Sequence, residues 1–150
     1  MVELKALASL ACLVVVAVSL SACQKLTLPK SDVDYCTVVA DPPVKDGKII
    51  AGPAHFTCDG KGPTSLTLTV TLQKQSSKGT WSSLRSGTFV THGTATTRSL
   101  GISDRTRKVT ASCSVGSFRT VLRAVEKSNG HTQVYDSDSV TVPKPCNETF

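Results

Sequence analysis

The sequence predicts an all-β protein, an antiparallel β-sandwich, behind a short N-terminal export segment. Three observations predict it. Ser65–Gln75 reads SLTLTVTLQKQ, in which Leu66, Leu68, Val70 and Leu72 alternate with Thr67, Thr69, Thr71 and Gln73. That period of two puts one face of a strand on a core and the other in water, and β-branched threonine suits the wet face. The alternation recurs at Lys108–Val115, with Val109, Ala111, Cys113 and Val115 on one face. Turn-forming Gly, Pro, Asn and Asp separate roughly eight such runs, the spacing of a two-sheet β fold.

Taken in order, Asp34–Ala40 (DYCTVVA) is the first strand, stopped by Asp41-Pro42-Pro43 because proline offers no donor to a ladder. Lys45-Asp46-Gly47 makes a turn. Lys48–Ala51 and Ala54–Cys58 follow as strand pieces broken at Gly52-Pro53, and Asp59–Pro63 is a loop. After the Ser65–Gln75 strand, Ser76–Gly79 closes a hairpin into Thr80–Ser86, which holds Trp81. Gly87–Gly101 carries one or two short strands, with Phe89 and Val90 as its buried candidates. Ser103–Thr106 turns into Lys108–Val115. Phe118, Val121, Leu122 and Val125 fit a helical stripe. Asn129-Gly130 is nevertheless a strong hairpin signal with Thr132–Tyr135 as the return, so Phe118–Lys127 is read as a strand. Ser137–Val142 is the last strand, ended by Pro143 and Pro145.

The N-terminus has a different character. Lys5 precedes a largely apolar run, Ala6–Val18, too short for the ~20 residues of a membrane-spanning helix but fit for the apolar core of an export signal. Leu20-Ser21-Ala22-Cys23 resembles the lipobox of bacterial lipoproteins. The resemblance implies a diacylglycerol on the Cys23 sulfur, cleavage before it, and a mature chain held at a membrane by acyl chains. An ordinary signal peptide cut between Ser21 and Ala22 is the alternative. Parity favours the lipobox. Cys12 leaves with the signal and Cys23 takes lipid, so Cys36, Cys58, Cys113 and Cys146 remain as an even set for an oxidising compartment. The expected organisation is a helical lipoprotein signal peptide at 1–22, a polar tether at 23–34, a sandwich domain at 35–146 and a tail at 147–150.

Four cysteines allow three pairings. Cys36–Cys58 with Cys113–Cys146 would tie the first strand to its neighbour and the C-terminus to the Lys108–Val115 strand. Cys58–Cys113 with Cys36–Cys146 is the alternative that an immunoglobulin-like comparison would imply. That architecture is suggested by the spacing of Cys58 and Cys113, although Trp81 lies further beyond Cys58 than the tryptophan of that family. The body also resembles small uncharacterised exported β-rich proteins of actinobacteria and their phages. Cys113–Thr120 (CSVGSFRT), Trp81 after its hairpin and Val142-x-x-x-Cys146 carry the likeness, which implies no activity.

Catalytic and metal-binding patterns are thin. No Cys-x-x-Cys and no histidine at ligand spacing supports a metal. His55, His92 and His131 are isolated, and Ser112 and Ser114 lack a nucleophile-elbow setting. Asp136 and Asp138 share a strand face. Without Lys5 and Glu3 the mature part keeps 16 Lys+Arg against 10 Asp+Glu, and its densest basic group is Arg105, Arg107, Lys108, Arg119, Arg123 and Lys127, of which Arg119, Arg123 and Lys127 align on one face. That stripe is the candidate for an anionic surface, and a solvated face is the plain alternative. With Phe56, Trp81 and Phe89 expected in the core, few aromatic platforms are left to stack nucleic acid bases. Asn147-Glu148-Thr149 matches the glycosylation pattern, which a bacterial lipobox discounts.

The expectation is a monomeric, membrane-anchored extracytoplasmic lipoprotein. It would act as a binding or structural module at a cell envelope, without enzymatic activity, cofactor, metal or nucleic acid. Its partners would be the membrane, through lipid at Cys23, and a cell-wall polymer or a protein. A secreted hydrolase or ligand carrier would need His55, His92, Asp136 and Asp138 to converge. An envelope immunity protein of a prophage is a further alternative.

Overall fold

The structure, a computed structural model, describes residues 35–97 and 100–146. The expected signal peptide, Cys23, the tether and the 147–150 tail lie outside these residues. Eight strands are present among them: β1 Cys36–Ala40, β2 Val44–Asp46, β3 Ile49–Cys58, β4 Ser65–Gln75, β5 Trp81–Thr91, β6 Thr106–Ser112, β7 Ser117–Ser128 and β8 His131–Asp138. All pairing between strands is antiparallel. One sheet runs β5–β4–β7–β8. The other is built on β3, with β1 and β2 end to end along one edge and β6 along the other.

The core forms where the inward sides of the two sheets meet. Leu66, Leu68, Val70 and Leu72 of β4 and Phe118, Leu122 and Ala124 of β7 pack with Ile50, Ala54 and Phe56 of β3, all fully buried. Residues 31–150 make one compact unit, and this core and both disulfides lie within it. The helical reading of Phe118–Lys127 fails because β7 is paired along its length by β4 and over Val121–Ser128 by β8. Its even-numbered residues turn inward, so Val121 and Val125 leave the stripe they would share with Phe118 and Leu122 on a helix. The β7–β8 connection is the two-residue turn Asn129-Gly130. Both residues have positive φ, 47° and 79°, as a type I′ hairpin requires.

The break expected at Gly52-Pro53 lies instead on the neighbouring strand. Between Ala40↔Ala54 and Val44↔Ala51, residues 41–43 oppose only 52 and 53, which makes Asp41-Pro42-Pro43 a bulge. Pro53 O accepts from Asp41 N at 2.9 Å, so the donor that Pro53 lacks would also have pointed at that bulge. Gly52 serves the packing between sheets. A Cβ there would sit 3.1 Å from Thr120 Oγ1 and 3.2 Å from Leu72 Cβ.

Other boundaries move as well. β5 continues to Thr91 with a bulge opposite Leu72/Gln73, where separate short strands were expected, and Gly93–Thr96 is a 3-10 turn. β8 joins the two expected C-terminal strands and stops at Asp138, leaving one bridge, Phe118↔Val142. Val90 and Val115 are exposed, 55% and 67%, because Val90 faces outward and Val115 falls in the loop after β6. Trp81 is half-buried on the outer side of the β5–β4–β7–β8 sheet, opposite Gln75, and so is not a core residue. Phe89 packs against the core only in part.

The disulfides are Cys36–Cys58 and Cys113–Cys146. Asp59 N donates to Tyr35 O, so the adjacent pair Cys36↔Cys58 is non-hydrogen-bonded, the closer of the two kinds of antiparallel pair. Its Cα atoms are 3.9 Å apart. The second disulfide holds the segment after β8 against the end of β6. The alternative pairing through Cys58–Cys113 does not form.

Candidate functional site

The outer side of the β5–β4–β7–β8 sheet gathers Arg119, Arg123, Lys127, Asp136 and Asp138 from among the residues singled out from the sequence. Thr67, Thr69 and Thr71 lie opposite Val90, Thr88 and Ser86 of β5 on one side and Val125, Arg123 and Val121 of β7 on the other. β8 completes the rows with Val134, Asp136 and Asp138. Alternation dictates this arrangement: each strand turns its apolar set to the core and presents the intervening residues to water. Hydroxyls meet across strands, with Thr71 Oγ1 2.9 Å from Ser86 Oγ and Thr69 Oγ1 3.4 Å from Thr88 Oγ1.

Arg119, Arg123 and Lys127 do share this face, but two of them are neutralised. Arg123 Nη1 donates to the carboxylate of Asp136, directly opposite, at 3.1 Å. Arg119 Nη1 donates to Asp138, diagonally across, at 3.2 Å, and its Nε donates to Gln73 at 2.8 Å. The Arg119 guanidinium also lies over Trp81, 4.4 Å from the ring centroid, a cation–π contact. Lys127 is exposed at the end of the row. The stripe is therefore a hydroxyl-lined and nearly charge-balanced surface, and not a strongly cationic one.

The histidines do not join it. His55 is on the outer side of the other sheet, where its Nδ1 lies 2.8 Å from the carboxylate of Asp41 in the bulge. His92 Nδ1 bonds the carbonyl of Thr64 at 2.8 Å. His131 lines a shallow, open hollow of about 230 Å³ with Thr64, Lys127, Ser128, Gly130 and Thr132. His55, His92, Asp136 and Asp138 thus occupy three separate places, and the carboxylates of the last two are engaged by arginines. Among the described residues no group of three or more His, Cys, Asp or Glu could hold a metal ion.

Two polar clusters were not anticipated. Glu126, in phase with Leu122 and Ala124, points into the core and is 1% exposed. Tyr135 of β8 reaches it, with Oη 2.7 Å from Glu126 Oε2 and 2.7 Å from Gln133 Oε1. Having one proton, the hydroxyl donates to one acceptor at a time. Burial raises the Tyr135 pKa well above the ordinary tyrosine value, and the hydrogen bond to and charge of Glu126 raise it further. The Cys36 N–H acts weakly the other way. The sequence signal was available: a glutamate at an inward position of a strand needs a buried partner.

The second cluster closes the edge between β5 and β6. Arg107 lies over Phe56, 5.3 Å from the ring centroid, and donates to Thr91 Oγ1. Arg105 donates to the Leu100 and Phe56 carbonyls and to Thr57 Oγ1. Arg105 thus ties β3 to the segment after β5, and Arg107 ties β3 to the end of β5. Comparison of the chain with protein-family models and with curated proteins returns no match.

Proposed function

We propose that this protein is an exported lipoprotein, acylated at Cys23, whose immunoglobulin-like sandwich is a binding or structural module at a cell envelope. The observation that carries the reading is the outer side of the β5–β4–β7–β8 sheet. Asp136 and Asp138 are committed to Arg123 and Arg119 there, which leaves an exposed sheet surface of threonines, valines and paired charges. Such a face suits contact with an extended partner, a wall polymer or another protein, better than it suits the conversion of a small substrate. Two disulfides support an extracytoplasmic location. The strand order, β1/β2–β3–β6 against β5–β4–β7–β8, supports the immunoglobulin-like comparison, since the chain passes repeatedly between sheets.

Intact-mass measurement on protein from the membrane fraction of its native host tests this reading. The expected mass begins at Cys23, includes acyl chains, and rises by four hydrogens on reduction of the two disulfides. A soluble chain beginning at Ala22 would remove the anchor from the proposal.

A further inference from the structure

We infer that the end of the sandwich remote from the Cys36–Cys58 disulfide docks onto an anionic membrane surface. Four segments distant in sequence meet there. The Asp46–Ile49 turn joins β2 to β3, and Lys48 O accepts from Cys113 N at 2.9 Å. The Cys113–Cys146 disulfide brings in the C-terminal segment with Lys144. Lys74 Nζ donates to Ser114 Oγ at 3.0 Å, which joins the end of β4 and the β4–β5 turn carrying Lys78 to the same place.

Lys48, Lys78 and Lys144 are exposed there, and Lys74 is half-buried. Among the described residues none of the four forms an ion pair. Among the described residues of these segments, Asp46 is the one carboxylate. The stripe picked out from the sequence is largely cancelled by Asp136 and Asp138, so this end is the stronger cationic surface. The same segments also expose two aliphatic side chains, Val115 at 67% and Ile49 at 42%.

This combination selects the partner. A soluble phosphate polymer rewards the lysines but gains nothing from an exposed valine. At a bilayer the ammonium groups sit among headgroup phosphates while aliphatic tips enter the boundary with the acyl chains. The contact does not depend on acylation of Cys23. Together the two would supply both of the signals that stable anchoring needs.

The chain from Ser31 to Phe150 is the right probe, because it is the compact unit and lacks both Cys23 and the apolar N-terminal run. Its cosedimentation is measured with vesicles of phosphatidylcholine alone and with equal parts phosphatidylglycerol, at low salt. Binding is expected only to the phosphatidylglycerol vesicles. Lys48→Gln with Lys78→Gln and Lys144→Gln should weaken it about a hundredfold. Val115→Ser should weaken it about tenfold with the charge unchanged. No binding to anionic vesicles overturns the inference, and so does binding that survives the triple substitution. Binding that ignores Val115→Ser and is competed equally by soluble polyphosphate overturns the membrane in favour of a phosphate polymer. A failure here leaves acylation at Cys23 untouched, since intact mass reads that separately.

Discussion

Tyr135 shows how one hydroxyl can serve a buried carboxyl group. Glu126 is the fully buried acid of the inner face, and Tyr135 supplies it with a donor at 2.7 Å. Tyr135→Phe keeps the ring and deletes that donor, and should cost about 1–3 kcal/mol in urea unfolding because a buried carboxyl group loses a hydrogen bond. The same contact sets a pH dependence. The folded state keeps the Tyr135 proton above the ordinary tyrosine pKa, whereas the unfolded chain releases it near pH ~10. The stabilising contribution is therefore complete below that pH and declines as pH rises beyond it. Unfolding midpoints measured across alkaline pH should fall for the native protein, and Tyr135→Phe should lose that part of the decline.

At the scale of the element, two glycines separate backbone strain from packing. Gly130 has φ 79° in the β7–β8 turn, and a Cβ there would meet nothing within 4 Å. Gly130→Ala should cost about 1–2 kcal/mol through the left-handed backbone alone. Gly52 has ordinary backbone geometry, but its Cβ would press on Thr120 and Leu72 across the core. Gly52→Ala should cost about 1–3 kcal/mol through overpacking. Thermal unfolding of both variants reads these losses. A backbone amide chemical-shift map tells the two apart: changes should stay at the turn for Gly130→Ala and reach both sheets for Gly52→Ala.

Across the whole molecule the disulfides act at opposite ends. Cys36–Cys58 joins paired strands 22 residues apart in sequence, and Cys113–Cys146 spans 33 residues. On chain-entropy grounds each should contribute about 3–4 kcal/mol. The second also holds the Lys144 segment, together with the Phe118↔Val142 bridge, at the end that carries the lysines. Cys113→Ala with Cys146→Ala should speed amide exchange at Phe118 and Val142 while leaving the centre of β4 protected, as hydrogen-exchange mass spectrometry would show.

Much of this fold was legible locally. The alternation of Ser65–Gln75 named β4 and its buried face, residue by residue, because a strand with one wet side can be built in only one register. Asn129-Gly130 announced its hairpin because few residue pairs accept two positive φ angles. The favoured cysteine pairing also forms, its first bridge lying between adjacent strands.

The sites were less legible, since a side chain's partner depends on strands the sequence does not order. Arg119, Arg123 and Lys127 could be aligned on one face from spacing alone, but only the β7–β8 register sets Asp136 and Asp138 against two of them. Trp81 reads as a core residue until the pairing of β4 with β5 turns it outward under Arg119. The sequence by itself determined the all-β class, most strand positions and the inward face of the central strand, because these follow from local periodicity and turn chemistry. Only the tertiary structure decided which charges cancel and which gather. Lys48, Lys74, Lys78 and Lys144 are brought to one end by the β3–β6 ladder, a disulfide and a hydrogen bond, and the last two form only when the two sheets close on each other.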